Sequence, residues 1–320
     1  MSINERQQDI AQAIGVDFGG TSVKIGVVAG EEILASAPAI ETQAHAGPDA
    51  LIEAIARQVD ELRERFPEIH AIGVGMPGLV DSERGVIHKL TNVRGWSGTP
   101  LREKLEARCS LPVAVDNDAN CMAYAEWKRG AGRGFRHLIC ITLGTGVGGG
   151  IIVDGRLVHG ARFSAGEIGQ MSIDYQGRIG HYDNIGALED YVGNHEIAVR
   201  AREAYAAKGI DQPLESCTPA ALATAANADD PVAAEIWEES GRMLATALMS
   251  CCWLLNPEAI IIGGGVARAG DVLFIPLKAH LLPQLTAPLR DHLQILPAAF
   301  CNEAGIIGAA AMAVDAIEPG

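Results

Sequence analysis

The stretch AIGVDFGGTSVKIGVV, residues 13–28, reads as two strands rich in Ile and Val that meet at Gly19-Gly20. Two apolar runs closed by a Gly-Gly turn predict a β-hairpin. Within it, DFGGTSVK (17–24) carries polar chemistry: Gly19 and Gly20 let backbone N–H groups approach a phosphate, Thr21 adds a hydroxyl and Lys24 a charge. Asp17 is placed to hold Mg²⁺ through water. Taken alone, such a turn is more simply the tip of an ordinary hairpin. The weight therefore falls on whether the pattern recurs.

It recurs twice. LGTGVGGG (143–150) follows the apolar run beginning at HLICI, and GGGV (263–266) follows PEAIII. A Gly-rich turn directly after an apolar strand is where a nucleotide meets backbone rather than side chains. Gly144, Thr145, Gly146, Gly264 and Gly265 join Asp17, Gly19, Gly20, Thr21 and Lys24 as candidate nucleotide-binding residues. None of the three loops matches GxxxxGK[ST], so a P-loop nucleotide fold is not indicated.

Outward from the hairpin, LIEAIARQVDELRERF (51–66) repeats its apolar residues at helical spacing, and AIGVGMPG (71–78) and LPVAVDNDAN (111–120) read as further strands. Strands mixed with helices predict an α/β layered domain with its site at strand ends. Asn117-Asp118 stands at such an end. An Asp there can take the proton of a substrate hydroxyl as that hydroxyl attacks a γ-phosphate, and Asn117 can orient the substrate. A simple helix cap is the plainer alternative.

The strand, turn, strand pattern restarts after residue 118. The chain is accordingly read as a small α/β domain (1–117), a larger α/β domain (118–300), and a terminal segment (301–320) whose helix GIIGAAAMAVDAI packs back on the first. Residues 196–250 are Ala-rich and helical in tendency.

Composition narrows the function. A chain of 320 residues with 48% hydrophobic content can bury a core in each of two domains. With 25 basic against 40 acidic residues its formal charge is -15, which repels nucleic acid and anionic lipid. Seven cysteines, an odd number with no CxxC, suit a reducing cytosol. The polar start MSINERQQDIAQ lacks a signal-peptide core, and IWEESGRMLATALMSCCWLL (236–255) has too short an uncharged portion to span a bilayer. A cytoplasmic enzyme without membrane or nucleic-acid partners is expected.

With these pieces in place, the sequence resembles the ROK family of sugar kinases and repressors. The matching motifs occur in the family's order: DFGGTSVK, GMPGLVD, TNVRGW, VDNDAN, LGTGVGGG, AGEIG, GALE and NPEAIIIGGGV. The resemblance implies a two-domain actin-like ATPase (ribonuclease H-like) fold with a cleft between the domains, and a homodimer. It implies Asp118 as catalytic base, Asn117 on the sugar hydroxyls, Gly78 and Asn92 on the small-domain wall of the sugar pocket, and Glu167 and Glu189 on the sugar near its anomeric end. A carboxylate accepts bonds from two adjacent hydroxyls, which suits a hexose edge. ATP and Mg²⁺ are the implied donor and cofactor, with polyphosphate a possible alternative donor.

One departure from the family pattern stands out. The pattern continues GExGH, nine residues, then CxCGxxGCxE, its His and three Cys binding a structural Zn²⁺. Here Gln170 stands in place of the His, and Gly180, Tyr182 and Ala187 in place of the Cys. All four ligands are gone together, so no zinc is predicted; His181, Asp183 and Asp174 are read as solvated rather than as a substitute site. The loop must be held by other means, for which Tyr182 packing, burial of Ile179 and Ile185, and turns at Gly180 and Gly186 are expected. The family His also reaches the sugar, a part that Gln170 can take as donor and acceptor.

The remaining polar candidates have plainer readings. Trp96 is assigned to the core rather than to a sugar face. His88, His137, His159 and His195 lack paired ligand spacing and are read as surface or hydrogen-bonded residues, and Cys251 and Cys252 as packing thiols. The function expected is ATP-dependent phosphorylation of a hexose at a primary hydroxyl, glucose first. Fructose, mannose, N-acetylmannosamine and N-acetylglucosamine are the rival acceptors. A ROK repressor would need a winged helix ahead of the first strand, and a silent sugar sensor would not need Asp118 and both phosphate loops.

Overall fold

The hairpin at residues 12–29 forms because apolar side chains at alternate positions (Ile14, Val16 and Phe18; Val23, Ile25 and Val27) bury one face of two short strands around a glycine turn. In the computed structural model, which describes residues 11–90 and 95–317, β1 (Gln12–Phe18) and β2 (Ser22–Ala29) pair antiparallel with Asp17 opposite Lys24 and Phe18 opposite Val23. The strands β3 (Glu32–Ser36), β4 (Ile40–Glu41), β5 (Ile69–Met76) and β9 (Val113–Asn117) complete a six-stranded sheet ordered β3-β2-β1-β5-β9, with β4 on β2. β5 runs parallel to β1 and β9 parallel to β5. A smaller sheet, β6 (Leu79–Asp81), β7 (Val86–Lys89) and β8 (Thr99–Pro100), follows the β5 turn.

Helix α1 (Pro48–Arg65) starts on a proline with Asp49 in its first turn and ends on Arg63 and Arg65, a charge order that suits the helix dipole. Its face of Leu51, Ile55, Val59 and Leu62 is buried. Each such side chain contributes about 1.5–3 kcal/mol when withdrawn from water. Helix α2 (Leu101–Cys109) precedes β9, and α3 (Asp118–Lys128) follows it directly. Trp96 is buried and meets Phe18 edge to face at 5.1 Å, the core place expected of it.

The chain divides into two compact units: Met1–Gly134 with Leu157–Ala165 and Asn302–Gly320, and Phe135–Arg156 with Gly166–Cys301. Helix α3 belongs to the first unit, whereas the restart of the strand pattern places a boundary at Asp118. The reason is packing against the C-terminal helix (Ala304–Ile317): Lys128 pairs with Asp315 at 2.9 Å, and the Cys121 Sγ lies 3.8 Å from the Met312 Sδ. That helix also lies on the sheet, where a Cβ on Gly15 or Gly73 would collide with the carbonyls of Ile306 or Ala309. The small residues of β1 and β5 thus let two backbones approach.

In the second unit β10 (Leu138–Leu143) and β11 (Val147–Val153) repeat the hairpin, and β13 (Ala259–Gly263) pairs parallel with β10 as β5 does with β1. With β12 (Arg156–Leu157) and β14 (Gln294–Pro297) the sheet order is β12-β11-β10-β13-β14. Its helices include α4 (Glu189–Val192), α5 (Asn194–Ala207), α6 (Pro219–Asn227), α7 (Pro231–Leu255) and α8 (Asp271–Leu281). Asp230 caps α7 by accepting the Val232 and Ala233 N–H groups, and Asn256 ends it at φ +46 before Pro257. Trp237, Leu244 and Leu248 of α7 enter the core, as does Cys252. Burial pushes the Cys251 thiol up to about 11 and the Cys252 thiol to about 12, which suits packing rather than reactivity. Among the described residues no helix is long and apolar enough to cross a membrane.

Candidate active site

The predicted residues of the first unit gather where β1, β5 and β9 end. The Gly19-Gly20-Thr21 turn is closed by the Gly19 N–H donating to the Ser22 carbonyl at 2.9 Å. It is braced from outside, because Thr42 donates its hydroxyl to the Gly20 carbonyl (3.1 Å) and its N–H to the Thr21 carbonyl (3.0 Å). Lys24 Nζ stands 4.0 Å from Asp17 Oδ2. Burial pushes the Asp17 carboxyl above its ordinary value, and the Lys24 charge offsets part of that rise. The carboxylate has room because residue 305, facing it, is glycine: a Cβ there would sit 2.8 Å from Asp17 Cγ.

At the end of β9 Asn117 caps α3, its Oδ1 accepting from Ala119 N–H at 2.9 Å and Asn120 N–H at 3.3 Å. Its amide nitrogen donates to the Gly78 carbonyl at 3.1 Å, which brings Gly78 and Asn117 together. Gly78 has φ +86 and no room for a Cβ beside the Lys89 carbonyl. Asp118 opens the helix, and its Oδ1 accepts the Ala119 N–H at 2.9 Å. Asn92 lies outside the described residues.

Sequence reading missed the support beneath this junction. Asp116 is buried; its Oδ1 accepts from the Asn117 N–H at 2.7 Å and from Asn120 Nδ2 at 2.9 Å, while its Oδ2 lies 2.6 Å from His159 Nε2. The hydrogen bond to Asp116 raises the His159 pKa, against an opposing effect of burial. No local motif marks His159, which reaches Asp116 across 43 positions.

The second unit holds the other candidates. The Leu143–Gly146 turn is closed by the Gly144 N–H to the Gly146 carbonyl (2.9 Å), and the Gly144 carbonyl accepts the Asn194 N–H (2.8 Å). Gly264, at φ +87, packs directly on Leu143, so the 143–146 and 263–265 loops adjoin. Glu189 stands at the first turn of α4; its Oε2 accepts the Val147 N–H at 2.8 Å and its Oε1 the Gln170 Nε2 at 3.3 Å. A side chain on Gly146 would collide with that carboxylate. Desolvation, with the Glu189 charge adding to it, pushes the Glu167 carboxyl up.

The 170–189 loop is tied by a backbone ladder in which Ile173 N–H donates to the Gly186 carbonyl and Gly186 N–H to the Arg178 carbonyl, both at 2.8 Å, and Leu188 N–H to the Met171 carbonyl at 3.0 Å. His181 Nδ1 meets the buried Asp190 at 2.6 Å. Arg178 stacks over Tyr191 at 4.7 Å and pairs with Glu196 at 2.8 Å. The expected burial of Ile179 and Ile185 does not occur: they are 72% and 48% exposed, and Tyr182 is 54% exposed. Polar and main-chain bonds hold this loop, with isolated bridges joining Ser172 to Ala187 and Ile179 to Ile185, and these leave the apolar side chains of its tip in solvent.

Zinc does not fit these residues. A side chain on Gly180 would collide with the Asp190 carboxylate, Ala187 is fully buried, and neither offers a ligand atom. Asp183, at the pattern's glycine position, keeps the left-handed backbone at φ +60. Among the described residues no group of three or more His, Cys, Asp or Glu is arranged to hold a metal.

The ROK family model matches residues 13–316. The chain belongs to the ROK family. It is 34% identical to the glucokinase of Halalkalibacterium halodurans over 311 residues, 92% of each chain. It is 33% identical to a β-glucoside kinase of Listeria monocytogenes over 295 residues, 92% of this chain and 94% of that one. A ROK glucokinase from Streptomyces griseus, solved with glucose and AMPPNP, superposes with TM-score 0.80 at 32% identity, covering 95% of this chain and 99% of that one. The fold is the two-domain actin-like ATPase fold of the ROK sugar kinases.

Proposed function

We propose that this ROK sugar kinase transfers the γ-phosphoryl group of ATP to a primary hydroxyl of a hexose, with glucose the first acceptor and mannose, fructose and the N-acetylated hexosamines as rivals. The observation that carries the reading is the Asn117-Asp118 junction. Asn117 is held by both the α3 cap and the Gly78 carbonyl, and Asp118 follows it at the strand end, which supports a general-base role for that carboxylate. Asp118 takes the hydroxyl proton as the oxygen attacks phosphorus. By the family likeness, Gly78, Asn92 and Asn117 are assigned to the sugar, as are Glu167, Gln170 and Glu189, whose polar groups suit its hydroxyls.

The phosphates are assigned to the backbone of Gly19, Gly20, Thr21, Gly144, Thr145 and Gly146 with the Lys24 charge, and the adenosine side to Gly264 and Gly265. Asp17 fits Mg²⁺, since that ion takes one or two carboxylates and completes its shell with phosphates and water. Bound there, it would offset charge on the phosphates. Relatives named glucokinase and a structure with AMPPNP support a hexose acceptor and ATP as donor. A cytoplasmic homodimer is the assembly we assign from the family likeness.

A coupled assay of ADP release with Mg-ATP over glucose, mannose, fructose, N-acetylglucosamine and N-acetylmannosamine tests the reading. Turnover on one of them, strongest on glucose, is the expected result. ATP bound with none of them turned over would overturn it.

A further inference from the structure

Asn184 lies within the segment where the family pattern has its cysteines, and nothing in that pattern gives position 184 a part. In this chain its amide nitrogen donates to both the main-chain carbonyl of Gln170 (3.0 Å) and the Gln170 Oε1 (3.2 Å). Gln170 in turn donates through Nε2 to Glu189 Oε1 (3.3 Å), whose other oxygen takes the Val147 N–H. The polarity of this chain of bonds is dictated from one end. A carboxylate accepts, so Gln170 must turn its NH₂ toward Glu189; its Oε1 must then face Asn184, and Asn184 must present NH₂ in reply. The Asn184 Oδ1 is buried and among the described residues finds no hydrogen-bond partner, so the side chain carries a desolvation cost that only its donor end offsets.

We infer that Asn184 is a positioning residue for the substrate site, acting through Gln170 to fix the orientation of the Glu189 carboxylate. The inference rests on the reading that Glu189 binds the sugar. In the family pattern a zinc-bound His occupies the Gln170 position; here the donor amide of Asn184 orients that side chain instead. A hydrogen-bonded Gln can rotate about its terminal torsions, and one fixed donor on Oε1 together with one acceptor at Nε2 leaves it a single orientation.

The test pairs a direct readout with kinetics on the full chain. In ¹⁵N spectra the Gln170 side-chain amide, assigned by its loss in Gln170→Ala, is expected to show two well-separated, exchange-protected protons that move and exchange faster in Asn184→Ala. An unchanged Gln170 amide signal in Asn184→Ala overturns the relay. With sugar and Mg-ATP, Asn184→Ala should raise the sugar KM about fivefold to tenfold, as loss of one hydrogen bond does, with kcat and the ATP KM within about twofold. The double variant with Gln170→Ala should be no worse than Gln170→Ala alone.

Multiplying effects in the double variant, or a lowered Tm with the sugar KM unchanged, would mean that Asn184 only holds the loop. Asn184→Asp, which sets a carboxylate oxygen against Gln170 Oε1, should raise KM at least as far. A wild-type enzyme that turns over no sugar defeats the hexose reading, and the Gln170 amide signal then decides the relay by itself.

Discussion

His159 Nε2 lies 2.6 Å from Asp116 Oδ2, and the other oxygen of that carboxylate holds the Asn117 N–H and the Asn120 amide. The imidazole thus anchors the residue two places before Asp118. Its pKa is raised above 6.5, first by the hydrogen bond to Asp116, with Glu83 and Asp116 charge adding and burial opposing. A raised His value means the pair stabilises fully below the unfolded value and loses that contribution as pH climbs through the folded one.

His159→Gln should therefore lower Tm most near about pH 5–6 and least near about pH 9. A deficit of the same size across that range would exclude the ion pair. Because Asp116 then loses its brace, kcat should fall about tenfold while the sugar KM changes little, the loss of order one to two kcal/mol expected of a buried charge-assisted bond.

Asp118→Ala should lower kcat by about 10²–10⁴, the range of general-base removal, while sugar binding stays measurable by calorimetry. Turnover within about tenfold of wild type would remove Asp118 from that role. Asp118→Asn, which keeps the shape without the base, should behave alike.

The raised Glu167 carboxyl predicts a trade between stability and binding. Desolvation and Glu189 both oppose its charge, so a contribution present at low pH is lost as pH rises through its folded value. Glu167→Gln should raise Tm at about pH 7, leave it unchanged near about pH 4, and raise the sugar KM. A lower Tm at neutral pH would show that the carboxylate is held by partners rather than strained by its neighbour.

Gly305→Ala places a methyl 2.8 Å from Asp17 Cγ, closer than carbon atoms tolerate. The Asp17 carboxylate or the start of the C-terminal helix must shift. The expected outcome is a rise in the Mg²⁺ concentration needed for half-maximal rate, with the sugar KM unmoved. An unchanged Mg²⁺ dependence would separate Asp17 from the metal.

Protein purified without chelator should contain well under one equivalent of zinc by elemental analysis, and EDTA should leave its Tm unchanged once Mg²⁺ is restored. Restoring the cysteine at position 180 should destabilise the protein, because its Cβ has to displace the Asp190 carboxylate from His181. Tightly bound zinc in the wild type would overturn this account of the loop.

Much of the framework was legible along the chain. Alternating Ile and Val around Gly19-Gly20 and around Gly144 and Gly146 specify two hairpins through local propensity and turn chemistry, and the order of motifs identified the family. Asn117-Asp118 at a strand end needed only the boundary between VAVDN and the helix after it. The exposure of Ile179 and Ile185 was not legible, since hydrophobicity says what gains from burial and not whether a partner surface is present.

Sequence alone determined where glycine-rich turns follow apolar strands, because that follows from residue types at short, fixed spacing, and the family resemblance added which four zinc ligands are missing. Only the tertiary structure decided that residues 157–165 join the first unit, that His159 braces Asp116, that α3 packs with the C-terminal helix, and that Asn184 reaches Glu189 through Gln170. Those relations join residues far apart in the chain or ordered by a loop, and the path of the backbone between them is set by the packing of everything else.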